Sequence, residues 1–419
     1  FSNPENEKEI RDLFEKWGLQ SSVIGKAIPE KIIKVKNGNG VEAKINIPDI
    51  TQTPEYVLED TKPMWLSKLQ TENLNQFKIP NFSPNEILLK LLASPNISSK
   101  KFIYEQFDHQ VQTNTIIGPG SDSAVLRLKS LEVGLALTTD GNSKLSYLDP
   151  YLGGLISVAE ACRNISCSGA EPIAITDCLN FPDPEKSGNY YQLSESIKGI
   201  AEASKKFNVP VISGNVSLYN QSGNKAIFPT PIIGALGILN NSDEAISIGF
   251  KNENDVVILL GTNTIDSPID SLAGSDLIEL IHQKIIGKPQ INLDLELLVQ
   301  KTLRSAINKN LIESAHDLSN GGLAVAIAES CIYGNLGFNG TTTPTDRWDT
   351  ALFGENQSRI IISVQSEKLS MLKKLLSTMQ CPFIKLGFVG GKRLVFPKTL
   401  DIHLNEISKH WENGLKEVV

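Results

Sequence analysis

Residues 155–180 read LISVAEACRNISCSGAEPIAITDCLN. The first part places Leu155, Val158, Cys162 and Ile165 three or four residues apart, the spacing of one apolar helical face, and Gly169 supplies the stop. The period then changes. Ile173 to Thr176 is a short apolar strand that ends in the polar string Asp177-Cys178-Leu179-Asn180. A helix with one apolar stripe running directly into a strand is the unit of a layered α/β domain.

The same alternation extends outward from this stretch. Strands are expected at Ala124 to Leu128, Gly134 to Thr139, Val209 to Ser213 and Ile232 to Leu239, with a second helix marked by Leu193, Ile197, Ile200 and Phe207. A further α/β block begins near residue 246, with a strand at Val256 to Leu260 and helices near Asp276 to His282, Leu293 to Ile307 and Leu323 to Cys331. Upstream, Ser83-Pro84-Asn85-Glu86 sets a hydroxyl cap, a proline at the first helical position and a glutamate at the third ahead of Ile87, Leu88, Leu91 and Leu92. Residues 48 to 82, with Pro48, Pro54, Pro63 and Pro80, read as a surface linker.

A pattern near the start returns at the end. A helix over Glu7 to Trp17 is followed by strand-like Ser22 to Gly25 and Ile32 to Val35, a turn at Gly38-Asn39-Gly40 and a strand at Ala43 to Ile47. The helix Leu369 to Met379 is likewise followed by Phe383 to Gly387, Arg393 to Phe396 and Leu400 to Leu404. A tandem duplication accounts for both: residues 1–58 as the tail of a first copy's second domain, 59–99 as linker and capped helix, and 100–245 and 246–419 as the two domains of a complete second copy. Two unrelated small α/β pieces are the alternative. The opening on Phe1, without Met or a signal-peptide pattern, points the same way as the duplication, toward an internal cut.

With 419 residues, 40% of them hydrophobic, the chain can bury a substantial core, and a formal net charge of -7 argues against a nucleic-acid binder. No apolar run approaches the roughly 20 residues of a membrane span. Five cysteines without metal-type spacing, Cys162, Cys167 and Cys178 among them in apolar patterns, read as reduced, buried thiols of a cytoplasmic protein.

Candidate chemistry concentrates in two strings at expected strand ends. Ser213-Gly214-Asn215-Val216-Ser217-Leu218-Tyr219-Asn220 offers close backbone approach at Gly214, a hard carbonyl oxygen on Asn215 and a hydroxyl on Ser217. Taken alone, the string also reads as an ordinary turn. Asp177 could hold a metal or receive a nucleotide hydrogen bond, or simply cap the loop Pro182-Asp183-Pro184. Two such ends in one α/β domain suggest a shared crevice. Gly118-Pro119-Gly120-Ser121-Asp122, Thr139-Asp140-Gly141-Asn142 and His316-Asp317-Leu318-Ser319-Asn320-Gly321-Gly322 each set an acid beside glycine-rich backbone, as magnesium-bridged phosphates require. Asp140-Gly-Asn as a turn, Ser319 as a helix cap and His316 as a structural histidine are the plainer alternatives. No Walker A lysine, GxGxxG, zinc or Ser-His-Asp signature occurs.

In order, GPGSDSAVLRL, TTDGN, YLDPYLGG, SVAEACRNISCSGAEP, TDCLNFPDPEK, SGNVSLYN, PTPIIGALG, AHDLSNGGLAVAIAES and LFGENQSR resemble phosphoribosylformylglycinamidine synthase of the small, multi-subunit type, within the aminoimidazole ribonucleotide synthetase-like superfamily. The resemblance runs from about residue 8 to about 400. It implies an α/β (α+β) fold of two related halves, each a barrel-forming α/β domain plus a second α/β domain. It also implies an ATP- and Mg2+-dependent ligase of purine biosynthesis that converts formylglycinamide ribonucleotide to the amidine, with ammonia from a glutaminase subunit and a small accessory subunit assisting.

Carried over by position, Asp177 and Gly214 match ATP contacts, Asn215 a magnesium ligand and Ser217 a substrate contact. Asp140, Asn164, Asp317 and Glu355 match pseudo-repeat partners of first-half positions, around an auxiliary nucleotide or metal site. The family's Lys-x-Glu-Ser-His-Asn-His string, which carries its catalytic histidine, does not occur here, so no catalytic residue is assigned and the chain by itself is expected to be inactive. The alternatives are a catalytically silent nucleotide-holding scaffold, or another ATP-using member of the superfamily such as aminoimidazole ribonucleotide synthetase or selenophosphate synthetase.

Overall fold

The chain divides into two units, Phe1–Val57 and Leu58–Val419. The computed structural model describes residues 1–52, 58, 60–223 and 225–418. Pro54 and residue 59, the first position of the expected linker segment, lie outside the described residues.

In the first unit, α1 (Glu7–Lys16) precedes a hairpin of β1 (Ile32–Asn37) and β2 (Gly40–Asn46), followed by α2 (Ile47–Thr51). The hairpin turns through Gly38 at φ +56, a left-handed conformation that glycine adopts without strain, and pairs Ile32 with Asn46 and Val35 with Ala43. The expected strand at Ser22 to Gly25 does not form, and Val23 and Ile24 are exposed. A strand needs a neighbour to bond, and this unit's sheet has two strands only among the described residues.

The second unit opens with α3 (Met64–Thr71) and α4 (Pro84–Leu92). The linker reading is corrected here: Leu66 is buried, and Leu74 and Phe77 join the same core as Ile87, Leu88, Leu91 and Leu92 of α4. The apolar residues between the prolines decide the outcome, and Pro63 merely starts α3. The capping box forms as read, Ser83 N donating to Glu86 Oε2 at 2.8 Å and Glu86 N to Ser83 Oγ at 3.3 Å.

The first sheet consists of β3 (Thr115–Ile117), β4 (Ala124–Arg127), β5 (Gly134–Asp140), β6 (Glu171–Asn180), β7 (Val211–Ser217) and β8 (Thr230–Leu239), in the order β3-β4-β5-β8-β6-β7. It is open, with β3 and β7 as edges, and only β6 and β7 run parallel. Helices α5 (Ser143–Leu148), α6 (Pro150–Cys167) and α7 (Asn189–Phe207) follow β5 and β6, and the apolar stripes of α6 and α7 share a core with Ile175, Ile233 and Ala235 of the sheet. The polar strings expected beyond the strand ends lie inside the strands. β6 continues to Asn180 because β8 stays paired with it as far as Thr230, and β7 continues to Ser217 beside it.

The second sheet is built from β9 (Val256–Leu260), β10 (Ser314–Asp317), β11 (Phe338–Gly340), β12 (Ile360–Val364), β13 (Phe383–Val389), β14 (Arg393–Phe396) and β15 (Leu400–His403), ordered β10-β12-β9-β13-β11-β14-β15. Its helices are α8 (Asp276–His282), α9 (Leu293–Asn308), α10 (Gly322–Gly334), α11 (Trp348–Phe353), α12 (Leu369–Met379) and α13 (Leu404–Asn413). Five consecutive apolar residues suit β9 because both sides are covered. Val257 and Leu259 enter the core with α10 and α13, while Val256, Ile258 and Leu260 enter the core with α9 and α12.

Candidate functional site

The register of β6 and β7 decides which candidate residues meet. Asp177 lies beside Gly214, Cys178 beside Asn215 and Asn180 beside Ser217. Side chains alternate along a strand, so these pairs fall on opposite faces. Asp177 and Gly214 share the side that carries Ile233: a Cβ on residue 214 would lie 2.0 Å from Asp177 Oδ1, so a larger residue there would displace the carboxylate. Asn215 shares the other side with Cys178, its Nδ2 4.0 Å from Cys178 Sγ, and the hydroxyls of Thr176 and Ser213 bond there at 2.7 Å. The four residues therefore flank the edge strand instead of lining one wall. A ligand touching all of them has to wrap around the free edge of β7.

Asp177 is half-buried, and burial raises its pKa. Its position in mid-strand removes the alternative in which it caps the following loop. Nor is 213–220 an ordinary turn; only its end turns, at Tyr219 with φ +62. Ser217 is held by Asn220, whose Nδ2 donates to Ser217 O at 2.7 Å and to Phe181 O at 3.2 Å, tying the end of β7 to the end of β6. Cys178, expected to be buried, is only half-buried; its β6 position turns it toward Asn215.

Asp140 occupies the row that runs through Ile233 to Asp177, two strands away and on the same side. With strands about 4.8 Å apart, the two carboxylates are on the order of 10 Å apart along the row. Asn164 of α6 donates to Asp140 Oδ2 at 3.0 Å, so these two auxiliary candidates do meet. Asp317 is held by Arg163, and the charges of both act on Asp140. That guanidinium is fully buried and bonds both oxygens of Asp317, Glu296 at 2.9 Å and Gln357 at 3.1 Å, with Glu160 at 3.5 Å. Burial, then the Asp317 charge, pushes Asp140 up to about 7; burial and the charges of Asp140 and Asp317 hold Glu160 well above the usual carboxylate range.

Glu355 stands one step away. It accepts the backbone N–H groups of Asp276 (2.8 Å) and Gly321 (2.9 Å), which fixes the starts of α8 and α10, and burial with the Asp276 charge pushes it up to about 8. Asp276 in turn holds Lys144, which also reaches Glu279 at 2.9 Å. A cavity of about 500 Å3 opens here, lined by Asn96, Asp140, Lys144, Glu160, Asp276 and Asn320 among others.

The neighbouring strings divide between cap and ion pair. Asp140 ends β5, and Asn142 caps α5 by accepting from Lys144 N at 3.1 Å. Ser319 is no cap: α10 begins behind Gly321 at φ +75, without a side-chain bond. His316 bonds Asp122 at 2.7 Å and Glu329 at 3.1 Å. Burial opposes its protonation, but Asp122 and Glu329 outweigh that and hold the imidazole pKa well above its usual value.

Sequence reading missed Glu160, Arg163, Glu296, Lys144 and Asp276. The available signal was Glu160 and Arg163 themselves, two charges on a helix otherwise apolar and small. Oxygen donors from Asp140, Asn164 and Asp317 suit a hard cation in kind. Among the described residues, however, no three His, Cys, Asp or Glu side chains form a group able to hold a metal ion. Among those residues, no helix is long and apolar enough to cross a membrane.

The N-terminal domain model of AIR synthase related proteins matches residues 120–239, and the C-terminal domain model matches residues 252–398. This chain belongs to that family. It is 39% identical over 416 residues to a phosphoribosylformylglycinamidine synthase subunit PurL from Caldanaerobacter subterraneus subsp. tengcongensis, covering 98% of this chain and 56% of the relative. The chain thus spans about half the length of the curated relatives it matches. Among solved structures it resembles T. maritima PurL complexed with ADP, with a TM-score of 0.61 at 22% identity over 93% of this chain and 54% of that one. T. maritima PurL complexed with FGAR gives a TM-score of 0.61 at 17% identity over 78% and 54%. These structural likenesses establish the fold: two sheet-containing α/β domains, as the sequence resemblance implied.

Proposed function

We propose that this chain supplies one wall of the active site of an ATP-dependent phosphoribosylformylglycinamidine synthase. In that reaction the ATP γ-phosphoryl group passes to the amide oxygen of formylglycinamide ribonucleotide, and ammonia then displaces phosphate to leave the amidine. The observation that carries the reading is the identity to subunits named PurL across 98% of this chain. The paired strands TDCLN and SGNVS, which set Gly214 against Asp177 and Asn215 at an exposed edge, support it.

Catalysis of this kind rests on positioning and charge neutralisation. Asp177 and Gly214 contact ATP, Ser217 contacts the ribonucleotide, and Asn215 gives magnesium a neutral hard oxygen. A single protein oxygen fits a cation that completes its shell with phosphate oxygens, and magnesium when bound neutralises their charge. The glutaminase subunit and a small accessory subunit are the proposed partners, in the cytoplasm.

The cluster of Asp140, Asn164, Asp317 and Glu355 is read separately, as an auxiliary nucleotide or metal site of structural purpose. The engagement of Asp317 by Arg163 favours that reading over turnover at this position.

The test is ADP release dependent on formylglycinamide ribonucleotide, with ammonia, from this chain and from a longer protein that contains it together with the Lys-x-Glu-Ser-His-Asn-His string. Activity in the longer protein alone is expected. No such activity in the longer protein overturns the function, and equal activity in the 419 residues overturns the one-wall assignment.

A further inference from the structure

The ends of β6 and β7 are joined by side chains as well as by the ladder between them. Beyond Ser217 the chain bends at Tyr219, whose φ of +62 is a conformation that a bulky residue keeps only where its surroundings hold it. The bend returns Asn220 to the end of β6. Its backbone N–H and its Nδ2 both donate to Phe181 O at 3.2 Å, and Phe181 N donates to Ser217 O at 2.9 Å. Phe181 is 1% exposed and packs in the domain core, so the anchor is firm. Tyr219 Oη donates to Glu185 Oε1 at 3.0 Å, a second tie between the segments that follow the two strands.

The same Asn220 amide orients the Ser217 hydroxyl. A carboxamide nitrogen has two N–H groups, and two carbonyl oxygens claim them, Ser217 O at 2.7 Å and Phe181 O at 3.2 Å. Carbonyl oxygens only accept, so the amide cannot turn over, and Oδ1 is left to face Ser217 Oγ at 3.3 Å. Among the described residues that hydroxyl has no partner but this amide, whose Nδ2 stands 3.2 Å away. The Oδ1 contact is long for an O–H···O bond. The hydroxyl is therefore aimed without being used up, and it can turn its O–H to a ligand oxygen while the clasp on Phe181 stays closed.

We propose that Asn220 is a positioning residue for the ribonucleotide substrate: its amide sets the reach of the Ser217 hydroxyl and, through Phe181 O, the spacing of the two strand ends. The inference rests on the reading of Ser217 as the ribonucleotide contact.

The experiment is steady-state kinetics of the longer protein, with ammonia as nitrogen donor, for Ser217→Ala, Asn220→Ala, the double variant and Asn220→Asp. Each alanine variant should raise the KM for formylglycinamide ribonucleotide about tenfold, with kcat and the KM for ATP little changed. The double variant should be no worse than either single one, because without the hydroxyl the amide has nothing to aim. A residue that only supports the fold would lower Tm, and its effect would multiply with that of Ser217→Ala to about a hundredfold. Asn220→Asp keeps the size but sets an oxygen against the two carbonyl oxygens, so it should match Asn220→Ala and serves where the alanine variant fails to fold. Should Ser217→Ala raise the KM while the Asn220 variants leave it unchanged or combine multiplicatively, the positioning role is overturned and the Ser217 assignment stands. An unchanged KM in Ser217→Ala overturns that assignment and the inference with it.

Discussion

The β6–β7 edge and the charge cluster around Arg163 of α6 hold their polar residues in opposite ways. At the edge, Gly214, Asn215 and Val216 are exposed, and the Asn215 side chain makes only a long contact to Cys178, at 4.0 Å, among the described residues. In the cluster, Arg163 is 0% exposed and bonded to three partners drawn from the second domain. A group left loose at an edge costs little to keep and is available to a ligand. A group buried with its charge must be fully paired, and its loss falls on folding first. The contrast assigns ligand-dependent work to the edge and domain-joining work to the cluster, and mutations should separate the two.

The largest effect is expected at the cluster. Arg163→Met leaves Asp317, Glu296 and Glu160 buried without their cation, and breaking one side of a buried pair costs about 3–5 kcal/mol. Denaturant unfolding of the purified chain should show that loss. A change below about 1 kcal/mol would mean that the cluster does not join the domains.

Next is a pH effect at Glu355. Its folded pKa of about 8 lies above that of an exposed carboxylate, so the folded state binds its proton more tightly than the unfolded state does. Its contribution is therefore complete at low pH and declines as pH rises toward 8. Glu355→Gln should flatten the fall in Tm between about pH 5 and 8. The same slope in both proteins would place the titration elsewhere.

At the edge, effects should fall on ligands. In the longer protein, Asp177→Ala should raise the apparent KM for ATP, and Ser217→Ala should raise that for formylglycinamide ribonucleotide with little change for ATP. Steady-state titration of each substrate checks the division. If both variants alter ATP affinity alone, Asp177 and Ser217 do not serve different substrates.

Local signals were legible in the sequence. The helix of Leu155, Val158, Cys162 and Ile165, the capping box at Ser83 and the strand at Val256–Leu260 formed where periodicity placed them, because each is decided within a few residues. What depended on distant neighbours was not legible. Ser22 to Gly25 resembles β13, but β13 is held between β9 and β11, and no such pair exists in 1–57 among the described residues. The polar strings looked like strand ends because polarity alone cannot reveal that β8 remains paired beside them. The Arg163 partners are 133 and 154 residues away, beyond any local pattern. Asp140, Asn164 and Asp317 were identified by resemblance, whereas Arg163, the cation that holds Asp317, was not.

Asn215 carries the central claim, because its amide at the free edge is assigned to magnesium and not to shaping a turn. Asn215→Leu keeps the size and removes the oxygen. In the chain, exposure of residue 215 predicts a stability change within about 0.5 kcal/mol. The most direct measurement is the magnesium concentration for half-maximal activity of the longer protein, with and without Asn215→Leu, at saturating ATP. The account predicts a raised midpoint with nearly unchanged thermal unfolding; an unchanged midpoint accompanied by lower stability would contradict it and leave Asn215 a structural residue of β7.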